Sequence, residues 1–301
     1  MPFTKEKVND IFYLLSISNK SIKEIPMNQD HIQDLKSIAR DVRVLTLSSI
    51  AHLGVGHVGG AMSIVEILTY LYFKEMHTDP SQPRDPKRDR LVLSKGHAGP
   101  ALYSILAKKG FFPLEWLDTL NEGGTSLPSH CDRNLTPGID MTTGSLGQGL
   151  SAAVGIALAL RLDHRSSHVF AIIGDGESQE GQNWEAAMSA AQFKVGNLIA
   201  FTDYNHMQID GTVQDVMNID SLVDKWSSFG WHAVKIDGHD FSQMEEAINE
   251  AKLVTDKPSM IILDTIKGKG CSFAEGKVGS HNMPVSKAQL EEALLALKEV
   301  I

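Results

Sequence analysis

The stretch Val169-Phe-Ala-Ile-Ile-Gly-Asp-Gly-Glu177 decides the fold that we expect for this chain. Residues 169–173 are apolar without interruption, as in a strand that is buried on both faces of a parallel sheet. Gly174, Asp175 and Gly176 then end the strand in a sharp turn, which glycine permits at little steric cost. The stretch therefore predicts a buried strand that leads into a loop carrying a carboxylate.

A helical pattern from about Trp184 to Phe193 and a second apolar strand, Leu198 to Phe201, follow this turn. A strand–helix–strand unit places the carboxyl ends of both strands at the same edge of the sheet, where open α/β sheets bind ligands. Asp175 and Asn205, thirty positions apart, each come just after one of these strands. Their carboxylate and amide oxygens suit a divalent cation such as Mg²⁺. We predict an α/β fold, a mostly parallel sheet with helices on both faces.

The alternative for Gly-Asp-Gly is an ordinary turn, and the tripeptide alone favours that interpretation. Asn205 at the matching strand end reverses the preference.

Composition excludes several classes of function. The 301 residues include 28 basic and 37 acidic side chains, and the net charge of −9 argues against a nucleic-acid or membrane-surface role. Cys131 and Cys271 are far apart, without metal-ligand spacing, which is typical of a reduced, cytoplasmic protein. The apolar run 149–160 is too short to span a bilayer, which takes about 20 residues.

The chain divides into two parts at Met27. Residues 1–26 lack the periodicity of a packed element, and we expect this extension to be dispensable. A helical pattern begins after Met27, and we assign residues 27–301 to a single domain.

Further loops present histidines. Gly54-Val-Gly-His-Val-Gly-Gly60 contains Gly-x-Gly-x-x-Gly, but a helix precedes it, so we reject a dinucleotide site. We expect instead a flexible loop that presents His57 before a helix from Ala61 to Phe73. Ser94-Lys-Gly-His-Ala98 heads another helix, whose free amide groups would attract an anion near His97. The other two histidines of interest are His130, in Leu127-Pro-Ser-His130, and His281, in Gly279-Ser-His281.

These motifs, in this order, resemble the N-terminal, diphosphate-binding half of transketolases over roughly residues 30 to 285. Gly174-Asp-Gly176 with Asn205 is similar to the thiamine diphosphate motif, and Thr142-Thr-Gly-Ser-Leu-Gly-Gln-Gly149 matches a characteristic loop of the family. Two positions depart from the pattern: Val58 replaces a proline and Ser129 a glycine. The resemblance implies the thiamine diphosphate-binding fold.

The resemblance also implies the cofactors, thiamine diphosphate and Mg²⁺, with Ca²⁺ or Mn²⁺ as substitutes. The implied metal ligands are Asp175, Asn205 and the backbone carbonyl of Met207, and Ile209 would hold the two cofactor rings in a bent arrangement. The other residues implied to contact the cofactor are His97, Gly144, Ser145, Leu146, Gly174, Gly176, Glu177, Glu180, Lys267 and His281, of which Glu180 would reach toward the partner domain.

Four histidines are the implied catalytic residues. His97 and His281 would lie near the diphosphate and the reacting carbon, and His57 and His130 would face substrate hydroxyls. Ketol transfer creates alkoxides, and neutral imidazoles near pH 7 can donate protons to such oxygens or accept them. A lone histidine is more often structural, but each of these four lies in a loop that matches the family.

The implied function is that of the N-terminal subunit of a split transketolase, which transfers a two-carbon ketol unit from a ketose or its phosphate to an aldose or its phosphate. Alternatives are a subunit of a deoxyxylulose-phosphate synthase-like or dehydrogenase E1-like enzyme, or a non-catalytic cofactor-binding assembly subunit. The sequence ends at Ile301 without the family's pyrimidine-binding half. We therefore expect a partner chain that supplies the activating glutamate, an α2β2 assembly, and no turnover by this chain alone.

Overall fold

Five parallel strands form the central sheet of this computed structural model, which describes residues 27–299. The extension predicted for residues 1–26 lies outside the described residues. The strands in chain order are β1 (Val55–Gly56), β2 (Arg90–Leu93), β3 (Val169–Gly174), β4 (Leu198–Tyr204), β5 (His232–Asp237), β6 (Ser259–Asp264) and β7 (Met283–Pro284). The sheet order is β2-β3-β4-β6-β5, and all four pairings are parallel. The predicted parallel sheet is confirmed.

Helices cover both faces of this sheet. They are α1 (Gln29–Leu53), α2 (Val58–Met62), α3 (Val65–Tyr70), α4 (Gly99–Lys109), α5 (Gln148–Leu162), α6 (Gly181–Gln192), α7 (Val213–Val216), α8 (Leu222–Ser228), α9 (Phe241–Leu253) and α10 (Lys287–Glu299). Asn28 caps α1, because its side chain accepts a hydrogen bond of 2.8 Å from the His31 amide. Gly54, in the left-handed conformation, ends the same helix.

Successive side chains of each strand point to opposite faces of the sheet, so the interior contains two apolar cores. Phe170 and Ile172 of β3 point to the core that α1, α3, α4 and α9 cover. Ala171 and Ile173 point to the opposite core, under α5, α6 and α8. Both faces are thus buried, which explains why β3 is apolar at every position rather than at every second one.

The predicted strand–helix–strand unit is present as β3, α6 and β4. The observed strands run further than the apolar residues indicate, to Gly174 and Tyr204. Asp175 and Asn205 directly follow these two strand ends, as predicted.

Two expectations for residues 54–75 are wrong. The predicted helix from Ala61 to Phe73 is broken into α2, α3 and a π-helical segment, Leu71–Glu75. The predicted flexible loop is instead fixed, because β1 pairs with β7 and the last two glycines lie buried inside α2. A Cβ on Gly59 would lie 2.5 Å from the Ser280 hydroxyl, and one on Gly60 would lie 3.1 Å from the His97 ring. These glycines permit close packing rather than flexibility.

Within residues 27–299, no helix has both the length and the apolar character needed to cross a membrane.

Candidate active site

A cleft of about 240 Å³ opens at the carboxyl ends of β3 and β4. Twelve of the residues predicted for the site line it: His97, Leu146, Gly174, Asp175, Gly176, Glu177, Glu180, Asn205, Met207, Ile209, Lys267 and His281. The two strands are in register here, with Gly174 opposite Asp203, so the loops that follow them face each other. The topology therefore brings the predicted residues to one place.

Asp175 is the buried carboxylate of this cleft, with 2% of its surface exposed. Its Oδ1 accepts a hydrogen bond of 2.7 Å from the Gly176 amide, whereas its Oδ2 is buried without a partner. Burial, followed by the nearby Asp203 carboxylate, raises the pKa of Asp175 to about 7. Because buried polar atoms in proteins are nearly always paired, this oxygen is suited to a cation.

Asn205 is held in one orientation beside Asp175. Its Nδ2 donates to Asp203 Oδ2 over 2.9 Å, and its Oδ1 accepts from the Met207 amide over 3.2 Å. An isolated bridge between Met207 and Thr212 shapes the next turn. No cluster of three or more His, Cys, Asp or Glu side chains suited to a metal occurs in the described part of the chain. A cation here would thus depend on one carboxylate with amide and carbonyl oxygens, a set that suits Mg²⁺.

Lys95 and Asp203 form a buried ion pair beneath the cleft, which our sequence analysis missed. The Lys95 ammonium lies 2.5 Å from Asp203 Oδ2, and the two side chains are 2% and 0% exposed. Burial alone would raise the pKa of Asp203, but Lys95 and the hydroxyls of Thr265 and Ser63 outweigh it and hold the pKa below its usual value. An aspartate inside an otherwise apolar strand signals such a pair, since a buried charge needs a partner.

Lys267 adds a second cation to the lining. It is 2% exposed, and its ammonium donates to the Gln208 carbonyl over 3.3 Å. Burial, followed by the charge of Lys95, lowers the pKa of Lys267 to about 8. Asp203 neutralises Lys95, so Lys267 is left to attract a negatively charged ligand.

Glu177 holds together the segments that surround the cleft. Its carboxylate accepts hydrogen bonds from the amides of Gly147 and Gly174, at 2.9 and 3.0 Å, and from the Ser94 hydroxyl. Burial nevertheless raises its pKa. Glu177 thereby joins the turn after β3 to the loop before α5 and to the end of β2.

The four predicted histidines form one cluster. The ring centroid of His57 lies 5.4 Å from that of His97, 5.7 Å from that of His130 and 5.4 Å from that of His281. His97 and His281 are 5.0 Å apart. Burial is the largest cause that lowers the pKa of His57 and of His281 to about 4, and it lowers that of His97 as well. These three imidazoles are neutral at pH 7.

Gly144 and Ser145 lie beside the cleft rather than in its lining. Gly144 has φ +147°, and a Cβ there would lie 3.1 Å from the His130 ring, so glycine lets this loop approach the histidine cluster. Ser145 is exposed, and its carbonyl accepts from the Gln148 amide at the start of α5. Leu146, 37% exposed, does reach the lining.

A buried triad, which our sequence analysis also missed, holds the loop that carries Lys267. Glu66 lies between Arg43, whose Nη2 is 2.7 Å from its carboxylate, and His239, whose Nδ1 is 3.1 Å away. Arg43 donates to the Lys269 carbonyl over 2.9 Å, and the Ile266 amide donates to His239 Nε2 over 3.0 Å. The triad thus fixes the backbone on both sides of Lys267.

Comparisons with known proteins agree with this geometry. A family model described as the transketolase thiamine diphosphate binding domain matches residues 35–297. A 6-deoxy-6-sulfo-D-fructose transketolase subunit of Clostridium sp. (strain MSTE9) is 58% identical, over 88% of this chain and 97% of its own length. One of the subunits of an apulose-4-phosphate transketolase from Phocaeicola vulgatus is 41% identical, over 82% of this chain and 87% of its own.

Solved structures give the same result. Transketolase from Campylobacter jejuni superposes with a TM-score of 0.83 at 32% identity, over 90% of this chain and 43% of that one. The Leishmania mexicana enzyme also gives 0.83, at 27% identity, over 88% of this chain and 41% of its own. This chain thus spans about two fifths of the solved transketolases that it matches. By its family match and its relatives, the chain belongs to the transketolase family and carries that family's thiamine diphosphate-binding domain.

Proposed function

We propose that this chain is the cofactor-binding subunit of a two-component transketolase and that it holds thiamine diphosphate through Mg²⁺ in the cleft described above. The observation that carries the proposal is the unpartnered, buried Oδ2 of Asp175, directly beside Asn205. Asp175, Asn205 and the Met207 carbonyl would hold the metal, and Lys267 and His97 would face the diphosphate. Leu146 and Ile209, which is 64% exposed, would contact the cofactor's rings.

When bound, thiamine diphosphate supplies a nucleophilic carbon that accepts and releases a two-carbon ketol unit. The chain's own contribution is proton handling and exclusion of water around that carbon. His57, His97 and His281 are neutral at pH 7 because burial lowers their pKa values. A neutral imidazole can accept a proton from one substrate hydroxyl and donate one to a developing oxyanion. Together with His130 they would line the path of the substrate's hydroxyl groups.

A second subunit completes the proposed enzyme. The two relatives above are named as transketolase subunits and match this chain over most of their own lengths. Within the cleft, Glu177 is committed to three hydrogen bonds and Glu180 is exposed at the start of α6. We therefore assign the glutamate that activates the aminopyrimidine ring to a pyrimidine-binding partner chain, in an α2β2 assembly with the cofactor between unlike chains. Both described cysteines are buried free thiols, which fits a cytoplasmic location.

The proposed donor is a ketose that carries a terminal anion. The relative at 58% identity is named for 6-deoxy-6-sulfo-D-fructose, and that at 41% for apulose 4-phosphate. The sulfonated sugar is accordingly the first donor to test, with fructose 6-phosphate as the comparison. The two names also favour ketol transfer over the synthase-like and E1-like alternatives.

Reconstitution tests this proposal. The purified chain is combined with its candidate partner, and two-carbon transfer from 6-deoxy-6-sulfo-D-fructose to an aldose phosphate is followed with thiamine diphosphate and Mg²⁺ present. We expect no transfer by either chain alone and transfer by the pair. A pair that carries His57→Ala in this chain should lose most of the rate while it retains cofactor binding, because His57 would face the substrate's hydroxyl groups rather than the cofactor. Full activity of this chain without a partner would contradict the two-component assignment.

A further inference from the structure

A second cleft, of about 540 Å³, is lined by guanidinium groups. It lies between residues from 83–90 and residues from 133–140, and Ile156 of α5 completes the lining. Among the lining residues are four arginines and one carboxylate: Arg84, Arg88, Arg90, Arg133 and Asp140. We refer to this site as the arginine cleft. Such a concentration of positive charge is unexpected in a chain whose net charge is −9.

The arginine cleft is separate from the cofactor cleft. Arg90 begins β2, whereas Lys95 and His97 follow the other end of the same strand. The strand's four residues span roughly 10 Å. The two clefts therefore lie at opposite edges of the sheet, and no described side chain lines both.

The carboxylate in the arginine cleft is already saturated. Asp140 Oδ2 accepts from Arg88 Nη1 and from the Leu91 amide, both over 2.9 Å, and Oδ1 accepts from Arg88 Nη2. The same Oδ1 lies 3.7 Å from Arg90 Nε. One negative charge is thus shared by two guanidinium groups.

The cleft also holds guanidinium nitrogens that Asp140 does not bind. Arg88 is 7% exposed, and its Nε is buried without a hydrogen-bond acceptor. Arg84 and Arg133 belong to opposite walls of the cleft, and among the described residues no carboxylate besides Asp140 is in the lining. Like charges on the two walls repel each other, and an anion that enters the cleft relieves this repulsion.

The wall formed by residues 133–140 is held rigidly. Gly138 has φ +87°, and a Cβ there would lie 2.7 Å from Leu106 and 2.8 Å from Phe111, so the turn is pressed against the core. Thr136 is 2% exposed, and its hydroxyl donates to the Ser126 carbonyl. Because the backbone of this wall is already fixed, binding orders the arginine side chain but not the segment that carries it.

We propose that the arginine cleft binds a tetrahedral oxyanion, the phosphate or sulfonate group of a small metabolite. Guanidinium groups pair with such groups through two parallel hydrogen bonds. The Nη groups of Arg88 and Arg90 are committed to Asp140 and to backbone carbonyls. Arg84 and Arg133, one on each wall, are therefore the arginines that are left to bind the anion. The volume exceeds that of a single phosphate and accommodates the body of a small metabolite as well. This binding site is independent of the proposed function, since it shares no residue with the cofactor cleft.

Calorimetry of the full chain with inorganic phosphate tests the site. We expect saturable binding that the double variant Arg84→Ala/Arg133→Ala weakens about tenfold or more. Arg40→Ala is the matched control, because Arg40 lies on α1 outside the arginine cleft and its replacement also removes a guanidinium charge. The affinity of this variant for phosphate should equal that of the wild type. Glucose 6-phosphate should bind to the same site and glucose should not, and sulfate should compete with phosphate.

Two further measurements assign the binding to one cleft. Phosphate binding should persist in Lys267→Ala, and thiamine diphosphate binding should persist in Arg84→Ala/Arg133→Ala, whose fold is checked by circular dichroism. Absence of phosphate binding, equal affinity in the double variant, or loss of phosphate binding in Lys267→Ala would overturn the proposal. None of these results would alter the test of the transketolase assignment.

Discussion

Lys95 and Asp203 show how one buried residue pair supports both the fold and the cleft. Asn205 donates to Asp203 over 2.9 Å, and Asp203 also accepts hydrogen bonds from the hydroxyls of Ser63 and Thr265, at 2.7 and 2.5 Å. Its carboxylate therefore joins the end of α2, β4 and the loop after β6. Removal of its charge leaves an ammonium group buried without a counterion.

We predict that Asp203→Asn lowers the free energy of unfolding by about 3–5 kcal/mol, the usual cost of removing one of the two charges of a buried ion pair. Urea unfolding followed by circular dichroism measures it. Asp264→Asn is the matched control, since Asp264 ends β6 and its side chain is 42% exposed. It pairs with Lys235 over 2.8 Å and with His206 over 2.7 Å. An exposed pair of that kind contributes about 1 kcal/mol or less. Equal losses in the two variants would contradict the prediction.

The histidine cluster predicts a direction of pH dependence. In the folded chain the pKa values of His57 and His281 are about 4 and that of His97 is also lowered, against 6.5 for each when unperturbed. The unfolded chain thus binds more protons than the folded chain between about pH 6.5 and pH 4. The stability that these imidazoles contribute is present above pH 6.5 and is lost as pH falls toward 4.

Urea unfolding of the cofactor-free chain at several pH values in this range measures the effect. We expect the free energy of unfolding to fall with decreasing pH. His57→Asn should make this dependence on pH less steep, because it removes a group that binds a proton in the unfolded chain but not in the folded chain. A slope that His57→Asn leaves unchanged would show that this imidazole does not share the cluster's burial.

At the scale of elements, α5 fixes the position of the loop around Glu177. Gly149, near the start of α5, lies against Ser94, and a Cβ there would be 2.5 Å from the serine Cβ and 2.7 Å from its Cα. The Ser94 hydroxyl in turn donates to Glu177. The close contact between α5 and the end of β2 is therefore possible only because Gly149 has no side chain.

Two glycines of the same helix give opposite predictions. Gly149→Ala should destabilise the chain by about 1–3 kcal/mol, because the contact is with backbone that cannot yield. Gly155→Ala, where nothing lies within 4 Å, should stabilise it by about 0.5–1 kcal/mol through lower entropy of the unfolded chain. Thermal unfolding of both variants tests this pair, and a destabilising Gly155→Ala would contradict the contact argument.

The strands of this fold were predictable and some of its helices were not. Uninterrupted apolar runs identify β3, β4 and β6, since a strand buried on both faces has few other compositions. The break between α2 and α3 has no such signal, because it lies at Ser63 and Ile64, where the Ser63 hydroxyl donates to Asp203, far away in sequence. The local periodicity of the sequence gives no sign of such a long-range contact.

At the scale of the whole molecule, the site follows from topology more than from any single motif. Parallel strands deliver Asp175 and Asn205 to one edge, so their order along the chain sufficed to predict that they meet, whereas Lys267 was expected only from the family resemblance. The support beneath them, Lys95 with Asp203, was not predicted, because partners in a buried pair are identified only when both are placed. Neither was the arginine cleft, which two distant loops form.

We propose above all that Asp175 organises a Mg²⁺-dependent site for thiamine diphosphate at the carboxyl ends of β3 and β4. The most direct measurement is a calorimetric titration of the chain with thiamine diphosphate, with and without Mg²⁺, for the wild type and Asp175→Asn. We predict binding that requires Mg²⁺ in the wild type and is lost in Asp175→Asn, while circular dichroism shows the fold of the variant unchanged. Wild-type affinity in Asp175→Asn, or binding that is indifferent to Mg²⁺, would contradict the account.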